Sequence, residues 1–322
     1  MKILIANNTV IPAKDYGGTE RVIWWLGREL VRLGHKVTYL VAAGSSCPFA
    51  DVIIRDDNKG LHEQVPPDTD IVHMHYQTEE KITKPCLFTH HGNYHDQDTF
   101  HINTVFVSRN HAQRNSADAY VYNGIDTEEY GPVDLNAPRQ HLLFLGYAKR
   151  PEKNLKDCSA LARQSGNKLA VVGGKFRWFK WRPWLEYKGF LSGEAKNRVI
   201  QQSRALVYPV RWHEPFGLAV VEALYFGCPV VATPYGSLPE LVKPDVGFLS
   251  NSRTQLLAAL KTLDKFEPRR CHEYVCDRFT SRHMAQNYLT LYAKILNGQA
   301  LNAHPPQNGG NYFWGDLLPM TP

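Results

Sequence analysis

The chain has 322 residues, 43% of them hydrophobic and 21% charged, which at roughly 150 residues per domain suits about two domains and excludes a disordered chain or a single small core. The net charge of +6 hides a division, because residues 1–138 hold 12 Lys/Arg against 18 Asp/Glu while residues 139–322 hold 25 against 13. A basic half of this kind is expected to meet something anionic. Six scattered cysteines form no Cys-x-x-Cys pair, so a reducing cytoplasm is expected rather than a disulfide framework. The opening apolar run of four residues is too short for a signal-peptide core. The apolar stretch 218–232 is broken by Glu222, Gly227 and Pro229 and falls short of the ~20 residues a membrane span needs.

Short apolar runs alternate with amphipathic stretches along most of the chain, the pattern of parallel strands covered by helices. A strand over 3–6 leads through Gly17 and Gly18 into a helix striped by Val22, Ile23, Leu26, Leu30 and Leu33, which stops at Gly34 before a strand over 37–41. Further strands are predicted over 71–73, 86–89, 104–107 and 120–122. The turn-like Asn123-Gly124 and the Pro132 to Pro138 segment read as a linker, which places a domain over 1–138. A second series restarts at residue 141, with strands over 169–172, 205–208 and 229–232, and fills a domain over 139–280. Thr280 or Ser281 is expected to cap a last helix, carrying Met284, Tyr288, Leu291 and Ile295. The Pro-, Asn- and Gly-rich residues 299–322 are expected to be a flexible tail.

The sharpest chemical constellation is Glu214-Pro215-Phe216-Gly217-Leu218-Ala219-Val220-Val221-Glu222. Pro215 suits the first position of a helix, which puts Glu214 just before it and Glu222 about two turns inside, roughly 12 Å away. The N–H groups of Phe216, Gly217 and Leu218 would face an anion at that helix start, and a carboxylate further along could accept two hydrogen bonds from a ribose diol. The same pair also suits two solvated glutamates on an amphipathic helix. Gly17 and Gly18 admit a phosphate close to backbone ahead of a helix, and equally suit a plain turn. His90, His91, His95, Asp96, Asp98 and His101 crowd one segment. They could be read as a metal cluster, although the His91-x3-His95 spacing is a weak metal signal.

The stretch from Glu214 through Gly227-Cys228-Pro229-Val230-Val231-Ala232-Thr233 to Gly236-Ser237-Leu238-Pro239-Glu240 resembles the donor-binding signature of retaining GT-B glycosyltransferases of the family 4 (group 1) type. Tyr16-Gly17-Gly18-Thr19-Glu20-Arg21, Asp70-Ile71-Val72-His73-Met74-His75, Phe88-Thr89-His90-His91-Gly92, Asn123-Gly124-Ile125-Asp126 and Lys153-Asn154 resemble other landmarks of that family in the same order, over about residues 1–296. The resemblance implies an α/β fold of the GT-B kind, two doubly wound Rossmann-like domains facing a cleft, with the helix over 281–298 crossing back to the first. It implies retaining, metal-independent transfer of a glycosyl group from a UDP- or GDP-linked sugar to an acceptor hydroxyl, with no cofactor beyond that donor and no metal.

By the same resemblance, Glu222 would bind the ribose hydroxyls, Glu214 the donor sugar, and Gly217 and Leu218 the donor through their N–H groups, while His91 would lie near the anomeric carbon. His90 is its neighbouring rival for that place, and His73 and His75 read as strand-end or core residues. Family members carry an Arg directly after the glycine equivalent to Gly146 and a Lys six residues past it. Here Tyr147 follows Gly146 and the lysine is Lys153, seven residues on, so the diphosphate-holding roles pass to Arg150 with Lys153, Lys149 being the alternative to Arg150. The segment 175–184 packs four basic and five aromatic residues into ten positions. It suits a mixed structural and nucleotide-contacting loop or a lipid headgroup surface, and no recognised motif supports nucleic acid. The expected partners are a nucleotide-sugar donor, a saccharide, lipid-linked or small-molecule acceptor, and peripheral contact with the inner face of a membrane. A polysaccharide or glycolipid product follows from the family's habits. A non-catalytic nucleotide-sugar-binding module, or an epimerase or phosphorylase on the same fold, stays open as an alternative.

Overall fold

The structure, a computed structural model, describes all residues except 14–16, 94–98, 175–181 and 310–316. The chain divides into two units, one formed by Met1–Asp126 and the stretch beginning at Phe279, the other by Thr127–Arg278 and the C-terminal residues.

The first unit holds six parallel strands, β1 (Lys2–Ala6), β2 (Lys36–Val41), β3 (Asp51–Ile54), β4 (Ile71–Met74), β5 (Cys86–His90) and β6 (Thr104–Phe106), in the order β3-β2-β1-β4-β5-β6. The second holds β7 (His141–Leu145), β8 (Leu169–Val172), β9 (Leu185–Gly189), β10 (Ser203–Tyr208), β11 (Val230–Ala232) and β12 (Gly247–Leu249), in the order β12-β11-β10-β7-β8-β9. Both orders are the doubly wound 3-2-1-4-5-6 arrangement, in which successive crossovers run outward in opposite directions from a central strand pair. The reversal falls between β1 and β4 in the first unit and between β7 and β10 in the second, and a crevice opens there beyond the carboxyl ends of the strands. The central strands are buried along their whole length, as in β4 and β7, because helices cover both faces of such a sheet.

Three strands, β3, β9 and β12, escape the sequence reading. They are edge or near-edge elements with partly exposed residues, so the long apolar runs that mark buried strands are missing. The strand expected over 120–122 is instead an isolated bridge between Phe106 and Tyr120. In the helix Ser281–Leu296, capped by the Thr280 side chain, the buried stripe runs through Met284, Tyr288, Tyr292 and Ile295, so Tyr292 takes the place expected for Leu291. That helix packs on the helix Gly18–Arg32 and on β5 within the first unit.

The boundary between the units lies at Asp126/Thr127 rather than 138/139. Ile125 pairs with Thr280, whereas Tyr130 donates to Glu222 and accepts from the Asn197 side chain in the second unit. The Pro-rich segment thus marks a loop inside the second unit. Residues 299–309 and 317–322, expected as a flexible tail, hold defined bonds instead. The Asn302 amide donates to the Ile102 and Thr104 carbonyls and accepts from the Asp118 and Ala119 N–H groups, an inward-facing role that composition does not reveal. Leu318 exchanges hydrogen bonds with Arg211, and Met320 packs on the core of the second unit.

Candidate active site

The loops at the strand-order reversal of the second sheet bring three of the predicted residues, Arg150, Lys153 and Glu214, together. After β7 the chain passes Gly146 and a 3-10 turn, Pro151–Lys153, to Asn154, which takes the left-handed conformation (φ 57°) and caps the helix Leu155–Gln164. After β10 it passes Pro209 to Glu214. Two bonds tie these loops: Asn154 Nδ2 donates to the Pro209 carbonyl, and the Arg211 N–H donates to the Glu152 carbonyl, each at 2.8 Å. This stapling holds Lys153 against Glu214. Glu214 Oε2 accepts from Lys153 Nζ at 2.7 Å, Tyr208 Oη at 2.8 Å and Trp212 Nε1 at 2.9 Å. Lys153 also donates to Tyr208 Oη at 2.9 Å and lies 4.5 Å from the centre of the Trp212 ring. Both charged groups are buried, at 9% and 7% exposure, where an isolated charge would cost several kcal/mol, of order 3 or more.

Arg150 lies over the other flank of this cluster, ion-paired with Glu152 and 5.6 Å from the Trp212 ring centre. Lys149 is exposed. Tyr147, which stands where an arginine was expected, packs against Phe190 beyond β9. Two cations, Arg150 and Lys153, are thus offset by two carboxylates, Glu152 and Glu214.

The helix expected to begin at Pro215 is Leu218–Tyr225, with Gly217 as its N-cap at φ 96°. A left-handed residue cannot continue an α-helix backwards, so Pro215 and Phe216 stay in the loop. Glu222 is the fifth helical residue rather than two turns in. Leu218 opens the helix and its N–H has no acceptor within it. The loop is held from behind: the Ser237 N–H donates to the Glu214 carbonyl and the Ser237 hydroxyl to the Phe216 carbonyl, while Gly236 packs so closely that a Cβ there would run into Glu214 backbone. Glu222 is 4% exposed. Its Oε1 accepts from Lys196 Nζ at 2.7 Å and Tyr130 Oη at 2.5 Å.

In the first unit, His75 and His91 directly follow the neighbouring strands β4 and β5. His75 Nδ1 and His91 Nε2 are 2.8 Å apart. His73 stacks on His75 with ring centres 4.1 Å apart and is locked by Tyr292 Oη at Nδ1 and Thr89 Oγ1 at Nε2, both at 2.7 Å. Burial disfavours the imidazolium form of all three, holding His73 and His75 well below the usual value and His91 down at about 4. His90, the rival of His91, is packed among Phe100, Phe106 and His111. Gly17 precedes the helix Gly18–Arg32, and a Cβ on it would meet the Glu20 carboxylate.

His95, Asp96 and Asp98 lie outside the described residues, as does most of the aromatic-basic segment, residues 175–181. Of that segment, Trp184 donates to Ser159 Oγ and packs on the core, a structural role. Among the described residues no group of His, Cys, Asp and Glu has the arrangement to hold a metal, and no helix is long and apolar enough to cross a membrane. Sequence reasoning missed Tyr208, Trp212, Lys196 and Tyr130. Only Trp212 left a trace, as an aromatic two positions before a signature glutamate.

Residues 142–272 match the family described as Glycosyl transferases group 1. Similar proteins include an uncharacterized 41.2 kDa protein in the cps region of Klebsiella pneumoniae, 26% identical over 33% of this chain and 31% of that protein. Another is the O-antigen chain mannosyltransferase B of Escherichia coli, 37% identical over 21% of this chain and 17% of that protein. The alignments thus span about a third or less of these curated relatives. Among solved structures, AviGT4, a glycosyltransferase involved in avilamycin A biosynthesis, has a TM-score of 0.74 at 22% identity, covering 94% of this chain and 99% of that one. The Anabaena protein HepE in complex with UDP-glucose has a TM-score of 0.63 at 17% identity, covering 91% and 100%. The chain has the GT-B fold, and the stretch that matches the group 1 glycosyl transferases lies within its second unit.

Proposed function

We propose that the protein is a retaining glycosyltransferase that moves a glycosyl group from a nucleotide-diphosphate sugar to an acceptor hydroxyl. The observation that carries the reading is the buried Lys153–Glu214 pair at the crevice of the second sheet, within the segment that matches the family. An ammonium has three donors. Two are used by Glu214 and Tyr208, and the third suits a phosphate oxygen. Arg150 and the N–H groups at Gly217 and Leu218 add to the field on that diphosphate, the latter through the positive end of the helix dipole. As the glycosidic bond breaks, negative charge builds on the departing diphosphate, and these fixed donors stabilise it there.

Glu214 takes its three bonds on Oε2, so Oε1 is the oxygen for the donor sugar's hydroxyls. Glu222, held by Lys196 and Tyr130, is the candidate for the ribose diol. Gly17 and Gly18 would let the first unit's backbone approach the phosphates, and His91 would contact the sugar near its anomeric carbon. No carboxylate nucleophile is required if the acceptor attacks the same face that the diphosphate leaves, through an oxocarbenium-like state. The reaction as proposed needs no metal. The UDP-glucose complex of HepE supports a UDP-linked donor, with a GDP-linked donor the alternative. The O-antigen mannosyltransferase similarity supports a polysaccharide or glycolipid acceptor, and we propose action at the inner face of a membrane, with residues 175–184 as the contact.

The test is a screen of UDP- and GDP-sugars with saccharide and lipid-linked acceptors, in EDTA and followed by NMR at the anomeric proton. An α-linked product from an α-linked donor is expected. An inverted product, or tight donor binding without transfer to any acceptor, would count against the reading.

A further inference from the structure

The histidine pair in the first unit carries an inference that rests on the proposed role of His91. A hydrogen bond between two neutral imidazoles holds one proton, so the contact between His75 Nδ1 and His91 Nε2 has two arrangements. The other ring nitrogen of His75 decides between them. His75 is 7% exposed, and its Nε2 is buried with no hydrogen-bond partner among the described residues. If His91 Nε2–H donated, neutral His75 would carry its own proton on Nε2, a buried N–H with no acceptor. In the opposite arrangement His75 Nε2 is a bare lone pair, and buried proteins tolerate unpaired acceptors better than orphaned N–H donors.

We infer that His75 is a positioning residue that donates from Nδ1 to His91 Nε2 and thereby fixes His91 as the tautomer protonated on Nδ1. His91 then meets the donor sugar as an N–H donor that holds a hydroxyl oxygen, and it does not serve as a base through Nε2. His73 supports the arrangement by stacking on His75 while both of its own nitrogens are engaged, which leaves the His75 ring little room to turn.

Long-range proton–nitrogen NMR of the full chain with labelled histidine reads the tautomer without any ligand, the His91 signals being assigned by their loss in His91→Asn. Wild type is expected to show His91 protonated on Nδ1. His75→Asn keeps an N–H donor near the Nδ1 position and should preserve that tautomer, with kcat within about threefold of wild type. His75→Asp replaces the donor with an acceptor and should move the His91 proton to Nε2, with kcat falling about 10²-fold at little change in KM, the scale of losing one fixed donor. A wild-type His91 protonated on Nε2 overturns the inference, and so does an unchanged tautomer in His75→Asp. If the tautomers come out as expected but His91→Ala leaves donor turnover unchanged, it is the proposed role of His91 that fails, and the tautomer assignment stands.

Discussion

Lys153 and Glu214 are 61 positions apart in sequence and 2.7 Å apart in the folded chain, and both are buried. The contact exists because β7 and β10 are neighbours in the sheet although two other strands, β8 and β9, separate them in the chain, and because Asn154 and Arg211 staple the two loops.

Removing either partner leaves a buried charge alone. Lys153→Met and Glu214→Leu are each expected to cost about 3 kcal/mol of unfolding free energy, while the double variant costs clearly less than the sum. A double-mutant cycle by urea unfolding reads the coupling; additive losses would mean that the pair is not energetically linked.

Gly236 stands at φ 66°, with the Glu214 backbone where a Cβ would be. Gly236→Ala should therefore cost about 1–3 kcal/mol through left-handed strain and displacement of the signature loop, and should raise KM for the donor. An unchanged melting temperature would show that the loop gives way freely.

Acid should weaken the first unit. His73, His75 and His91 stay neutral when folded below the pH at which they protonate in the unfolded chain, near 6.5, and His91 does so down to about 4. The unfolded state thus binds protons that the folded state excludes. The stability is complete above pH 6.5 and falls by up to about 1.4 kcal/mol per pH unit for each such histidine as pH drops toward the folded value. Urea midpoints at pH 7.5 and 5 should show a smaller acid loss in His91→Asn than in wild type, and an equal loss would contradict the assignment.

The C-terminal residues support the loop that follows β10. Deleting residues 317–322 removes the Leu318–Arg211 exchange and the Met320 packing, and should cost about 2 kcal/mol in the second unit. A truncated chain as stable as the full one would show these contacts to be inert.

Much of this was legible in the sequence, for physical reasons specific to each element. Buried strands such as β4 and β7 announce themselves as apolar runs, and the Glu214–Glu222 segment is local, so its chemistry could be read in place. What pairs with those glutamates could not. Lys196 sits on an unremarkable amphipathic helix, and Tyr130 lies in a segment that looked like part of the other domain. The charge concentration over 141–190, with 11 Lys/Arg against 3 Asp/Glu, suggested a focused positive field. At the site itself Glu152, one of those three acids, and Glu214 from outside the stretch bring Arg150 and Lys153 close to balance. On the proposed reading, the attraction for a diphosphate depends on the third Lys153 donor and on the start of the Leu218–Tyr225 helix rather than on net charge.

Calorimetric titration with UDP, GDP and their sugars, comparing wild type with Lys153→Met and Glu222→Gln, tests the central claim most directly. At least one nucleoside diphosphate should bind wild type and lose about tenfold or more in affinity in each variant, the worth of one charge-assisted hydrogen bond. Binding that is indifferent to both substitutions, or the absence of binding by every nucleotide at millimolar concentration, would contradict it.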